Sequence, residues 1–217
     1  MGSLKFNSIQ QNAFDVLASN PSMRERFYFT GGTALSIFYL HHRISDDLDF
    51  FTEGDITTDF TTPLVTSIAQ KLNVSVRFTN IEKVLIYELL DSKKMKLKID
   101  FATYPYKRLE KGIIHEGISV DSLLDIGANK IAAISQRNEI KDFADCYFIL
   151  QHYSLWDLLR AHEHKFGTEL DLVLLASNLL KVEDFDYLPK MMKKLTLQEL
   201  KEYFVDLTNR IGKRITE

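Results

Sequence analysis

The sequence predicts an α+β fold: a mixed or antiparallel sheet with flanking helices, followed by a helical C-terminal region. Two patterns lead to it. Strand-like segments at 27–30, 45–50, 74–78, 84–90 and 95–102 all precede Asp121, after which apolar residues recur at helical spacing. The last three of these segments are separated by little more than Asn80 and the Asp91-Ser92 pair, connections that favour antiparallel pairing over a crossover. Strands first and helices afterwards is the α+β order.

The elements follow in turn. Residues 8–18 read as a short amphipathic helix through Ile9, Phe14, Val16 and Leu17, stopped at Asn20-Pro21 because proline disfavours helix before it. A short strand at 27–30 is broken by Gly31-Gly32. Thr33 is placed to cap a helix through Ala34, Leu35, Ile37, Phe38 and Leu40, apolar on most of its circumference and therefore buried. After His41, His42 and Arg43 the period becomes two: Ser45, Asp47 and Asp49 point one way, and Asp46, Leu48 and Phe50 the other. A Thr-rich connection and a helix at 64–72 lead into the three later strands, and helices are expected at 122–137, 141–151, 155–165, 169–180 and 197–210. The division falls near Gly117, giving an α+β domain over 1–117 and a helical domain over 118–217, packed against it and completing the site.

Composition bounds the function. A chain of 217 residues, 45% hydrophobic, can bury a sizeable core. With 27 Lys plus Arg against 30 Asp plus Glu the net charge is -3, so any site for a polyanion must be local. Apolar runs fall short of the roughly 20 residues a spanning helix needs, and the start MGSLKFNSIQ lacks a signal-peptide core, so a cytoplasmic protein without a membrane partner is expected. Phe6 stands where a myristoylation signal wants Ser or Thr. Cys146, among Phe143, Tyr147 and Phe148, reads as a packed thiol, and the histidine pair 41–42 lacks further zinc ligands at recognisable spacing. Trp156 belongs to helix packing.

The chemistry begins with Asp47 and Asp49, which flank Leu48 and on a strand share one face, where their oxygens can hold a hard divalent cation. Alone, such a triplet is more often an exposed acidic strand face. The preceding Gly31-Gly32-Thr33 changes that, because a glycine turn opening a helix presents backbone N–H groups and a positive dipole end to an anion. Asp100, between Ile99 and Phe101, supplies a third carboxylate, able to take a hydroxyl proton or bind a second metal. It shares a face with Lys96 and Lys98. Together with Lys93 and Lys94 these lysines either track an RNA backbone or guard a sheet edge. Later in the chain Lys130 and Arg137, seven apart, fall near one helix face, and Asp142 and Asp145 are i,i+3 neighbours, with either Lys130 or Lys141 as partner for one of them.

The run GGTALSIFYLHHRISDDLDFF, then KIDFA, then ANKIAAISQRNEIKDFADCYFI, resembles the nucleotidyltransferase AbiEii/AbiGii toxin family, a branch of the polymerase-beta-like superfamily. Thr30 departs from the superfamily pattern, which wants a hydrophobic residue before the glycine pair and a slightly shorter gap to the acids. The resemblance implies a nucleotidyltransferase-type sheet and a nucleoside triphosphate bound through Gly31, Gly32 and Thr33, with Arg43 and Ser45 shaping the acidic turn or touching phosphate. It also implies Mg2+ or Mn2+ at Asp47 and Asp49, joined by Asp100, and nucleotide or catalytic roles for Lys130, Arg137, Asp142 and Asp145. The activity implied is transfer of a nucleoside monophosphate to an acceptor hydroxyl on a tRNA end or a protein, by a toxin with a cognate antitoxin. The alternatives are an inactive nucleotide-binding module and a protein-binding scaffold.

Overall fold

The computed structural model describes residues 4–216, and the chain divides into two compact units. The first runs up to Tyr39 and resumes over Ser45–Lys107 and Lys111–Ser122; the second takes Leu40–Ile44, Arg108–Glu110 and everything from Leu123 onward.

The first unit carries a seven-stranded sheet: β1 (Tyr28–Thr30), β2 (Leu48–Thr52), β3 (Ser75–Ile81), β4 (Val84–Asp91), β5 (Lys94–Thr103), β6 (Ile114–His115) and β7 (Ile118–Val120), in the order β3-β4-β5-β2-β1-β7-β6. β2 runs parallel to β5 and β1 to β7, while the remaining neighbours are antiparallel, so the sheet is mixed. Alternation decides its two faces. Phe29, Phe50 and Phe101 are fully buried on one side, where Phe14 of α1 (Ser8–Ser19) meets Phe29 at 5.3 Å and Phe50 at 5.9 Å between ring centroids. Asn7 and Gln10 close α1 with a reciprocal capping box.

Local expectations are extended at one point and corrected at others. Asn20-Pro21 ends α1 but also starts a further short helix, α2 (Pro21–Arg26), with Asn20 as N-cap and the proline in the first turn, where its missing N–H costs nothing. The α4 helix (Thr58–Leu72) begins before Pro63 and contains it; the Thr61 and Thr62 side chains in that stretch reach Tyr87 Oη at 2.7 and 2.8 Å. β2 begins only at Leu48, leaving Ser45 and Asp47 outside the strand. Their backbone carbonyls are taken by side chains in place of a ladder: Gln10 Nε2 donates to Ser45 O at 3.0 Å, and the Thr33 hydroxyl donates to Asp47 O.

β1 passes directly into α3 (Gly31–Ala34), which continues as a π-helical stretch over Leu35–Leu40. Its N-cap residue is Thr30, not Thr33, and no side chain caps it.

The second unit is helical: α5 (Leu123–Gln136), α6 (Ile140–Ile149), α7 (Leu155–Phe166), α8 (Leu172–Leu180) and α9 (Leu197–Thr216). Ser154 and Asp157 form a capping box on α7, Gly167 ends it at φ +71°, and Asp171 caps α8. Gly127 admits its neighbours closely, since a Cβ there would lie 2.8 Å from Leu158 Cδ2. Phe143 packs against Phe185 and Phe204, and Cys146 is fully buried, its thiol pKa pushed well up by that burial. Among the described residues no helix is long and apolar enough to cross a membrane.

Candidate active site

In the first unit the acids gather at the β1-β2-β5 centre of the sheet. Thr30, Asp49 and Asp100 stand opposite one another in register across the three strands. Residues paired across neighbouring strands point to the same side, so Asp49 and Asp100 are neighbours on the face opposite the Phe50 and Phe101 core. Asp47 lies just before β2, partly exposed, and Asp46 is exposed. Lys98, two residues before Asp100 on the same face, places Nζ 2.7 Å from Asp100 Oδ2 and 3.5 Å from Asp47 Oδ2. Burial opposes the Lys98 charge, but the hydrogen bond to Asp100 and the fields of Asp100, Asp47 and Asp49 outweigh it and hold the pKa above the ordinary lysine value.

The glycine turn is built against these acids. Gly31 has φ +75°, and a Cβ on it would lie 2.7 Å from Asp49 Cγ and closer still to Oδ2. Glycine is thus required both by the backbone angle and by the approach of the Asp49 carboxylate. Thr33, fully buried, ties α3 to the Asp47 carbonyl. Thr30 Oγ1 donates to Asp121 Oδ2 at 2.8 Å, and Tyr39 Oη donates to the Asp121 carbonyl at 2.7 Å, so both ends of the turn-helix segment are fastened to the residue that follows β7.

The later motif residues form a buried ionic network in the second unit. Lys130 Nζ lies 2.7 Å from Asp142 Oδ1 and 2.6 Å from Asp145 Oδ2. Arg137 donates to both Asp142 oxygens at 2.7 and 3.1 Å. Arg43 grips Asp145 through Nε at 2.6 Å and Nη2 at 2.8 Å, and His42 Nε2 meets Asp145 Oδ1 at 2.6 Å. Desolvation works against every charge here, yet the Lys130 and Arg43 charges hold Asp145 well below the carboxylate range. Lys130 and Arg137 hold Asp142 below it, and Asp145 and Asp142 keep Lys130 above the usual lysine value. For His42 burial wins, and its pKa is lowered. Asp142 and Asp145 are fully buried, whereas the Arg137 side chain is 49% exposed. Lys141 turns away to Glu139, at 3.0 Å.

Two buried polar contacts had no sequence signal. His42 joins Asp145 across 103 positions of sequence. Asp125 and Lys165, both fully buried in side chain, pair at 2.7 Å, and Asp125 also accepts the backbone N–H groups of Leu109 and Glu110, which attaches that short segment to the second unit.

Among the described residues no group of three or more His, Cys, Asp or Glu side chains is set to hold a metal ion. The carboxylates of the first unit nevertheless fit one. Asp47 and Asp100 already reach a common cation, the Lys98 ammonium, beside Asp49, and an all-oxygen donor set suits magnesium or manganese.

A profile of the nucleotidyl transferase AbiEii toxin family, Type IV TA system, matches residues 15–207. The chain belongs to this family. As an AbiEii member it is a nucleotidyltransferase, a transferase enzyme. It is 34% identical over 162 residues to an uncharacterized protein of Aquifex aeolicus, aq_aa25, over 73% of this chain and 74% of the relative. Among solved structures it is similar to JHP933 from Helicobacter pylori, with TM-score 0.58 and 20% identity, covering 96% of this chain and 90% of that one. It is also similar to MenT4, a nucleotidyltransferase toxin of Mycobacterium tuberculosis, with TM-score 0.50 and 15% identity, covering 95% and 89%. At these identities the two structures testify to the fold, and the nucleotidyltransferase-type sheet expected for an AbiEii member is the one present.

Proposed function

We propose that this AbiEii-family chain transfers a nucleoside monophosphate from a nucleoside triphosphate to an acceptor hydroxyl and releases pyrophosphate, with Mg2+ or Mn2+ at Asp47, Asp49 and Asp100. The observation that supports the reading most is the pairing of Asp49 with Asp100 at one register, beside Asp47 and around one cation. A divalent ion bound there supplies charge stabilisation to the α-phosphate and to the departing pyrophosphate.

The chain's own groups do the rest. Gly31 lets Asp49 come close to the turn, and Thr33 fixes the Asp47 backbone, so both carboxylates are preorganised. The backbone N–H groups of Gly31 and Gly32 serve the triphosphate. Asp100 takes the proton of the acceptor hydroxyl as its oxygen bonds to the α-phosphorus and the bond to the bridging oxygen breaks. Within the second unit Arg137 keeps a half-exposed guanidinium, a group whose chemistry suits phosphate, and Asp142, itself tied to Lys130, holds it in place. Arg43 also donates Nη1 to the Ile44 carbonyl at 3.1 Å.

The setting we propose is a toxin acting in the cytoplasm, with a cognate antitoxin, whose acceptor hydroxyl lies on a tRNA end or a protein. The purified chain, incubated with each labelled nucleoside triphosphate, magnesium or manganese, and total cellular RNA and protein, labels one of the two fractions. Labelling of neither fraction under any metal condition, with saturable nucleotide binding, would reduce the chain to a binding module.

A further inference from the structure

Lys98 is a basic residue inside the acidic site, and the transfer reaction as proposed gives it no task. It could have found a partner elsewhere. Glu88 stands directly opposite it on β4, the usual place for a cross-strand ion pair. That carboxylate is held instead by two nitrogens of Arg77, at 2.5 and 2.8 Å. The Lys98 ammonium turns to the site and bridges Asp100 and Asp47, at 2.7 and 3.5 Å.

Resting on the metal-site reading above, we propose that Lys98 is a resident counter-cation of that site, a positioning residue that withholds carboxylate oxygens from a divalent ion until nucleotide arrives. The chemistry is one of competition. Magnesium and manganese need carboxylate oxygens in the inner shell, close to the ion. An ammonium hydrogen-bonded to Asp100 uses lone pairs that the ion would need, and its charge repels the ion directly. The occupant is suited to leaving, because lysine carries its charge on a flexible four-carbon stem and the side chain here is 27% exposed. An incoming triphosphate changes both sides of the balance. It brings oxygens that complete the metal shell, and it offers the displaced ammonium a new anionic partner. The consequence is that the free protein binds metal weakly and binds it together with nucleotide.

The competition is read by titrating Mn2+ into the full chain without nucleotide, by calorimetry or by the loss of free Mn2+ spin signal. Lys98→Met is expected to bind Mn2+ at least tenfold more tightly than the unaltered chain, whereas Lys98→Arg, which keeps the cation, stays within about threefold of it. A matching thermal melt shows that each variant is folded. Unchanged or weaker Mn2+ binding by folded Lys98→Met overturns the proposal. Adding Asp49→Asn to Lys98→Met separates the two readings: loss of the gain locates it in the carboxylate site, and persistence of the gain sinks the metal-site assignment itself.

Discussion

Gly31 occupies a point where backbone and neighbour make the same demand. Its φ of +75° is one that side chains strain to adopt, and the Asp49 carboxylate fills the space a Cβ would take. Gly31→Ala must therefore move either the turn or Asp49. A displacement of about 1 Å at a reacting group costs on the order of a hundredfold in rate, and that is the loss in turnover we expect while the far-ultraviolet spectrum stays native. Near-normal transfer by folded Gly31→Ala would mean that Asp49 is not held where the chemistry needs it. Thr33 offers a milder case. Thr33→Val removes the hydroxyl that holds the Asp47 carbonyl but keeps the volume, so transfer should fall while nucleotide affinity changes little.

At the scale of elements, α5 and α6 are joined by charge as well as by apolar packing. Lys130 on α5 bridges Asp142 and Asp145 on α6, and removing one partner of a buried ionic group costs about 3 to 5 kcal/mol because it strands the others. Lys130→Met is expected to lower stability by that order in urea unfolding, so its activity has to be measured well below its unfolding transition. A cost under about 1 kcal/mol would be that of an exposed pair and would contradict the buried network. Much of this was readable in the amino-acid sequence. Alternation set Asp49 on the face away from Leu48 and Phe50, and Asp100 with Lys98 on the face away from Ile99 and Phe101, while only the strand register brings the two acids side by side; i,i+3 spacing placed Asp142 and Asp145 together on a helix. Other parts had no local signal. The β6 and β7 strands have two and three residues, too few for a period to show, and depend on a turn at Gly117 with φ +85°. Ser45 and Asp47 continue an alternating pattern yet lie outside β2, because side chains from Gln10 and Thr33 satisfy their carbonyls. The commitment of His42 and Arg43 to Asp145 depends on a contact more than a hundred residues away along the chain, which spacing does not encode.

For the whole molecule, the network sets how stability follows pH. Asp142 and Asp145 have depressed pKa values in the fold, so below about pH 4, where unfolded carboxylates begin to protonate, the unfolded chain binds more protons and stability falls. His42 is depressed as well. Its contribution is complete above the unfolded value of about 6.5 and declines as pH drops below it. Lys130 acts at the other end: raised in the fold, it stabilises fully below about pH 10.4 and loses that contribution as pH climbs through the folded value. Urea midpoints against pH should therefore form a plateau near neutrality that slopes down in two stages on the acid side, with the first stage lessened in His42→Gln. A profile with no change between about pH 6.5 and 5 would show that His42 titrates normally.

The AbiEii membership, the mixed sheet and the carboxylate pair support the proposal that Asp47, Asp49 and Asp100 carry out nucleotidyl transfer. Parallel reactions with nucleoside triphosphate labelled at the α- or at the γ-phosphate, with magnesium and cellular RNA and protein as acceptors, test it most directly. The expected result is that the α-label becomes acceptor-bound, the γ-label leaves as pyrophosphate, and folded Asp49→Asn does neither. Incorporation of the γ-label, or full α-label transfer by Asp49→Asn, would contradict it.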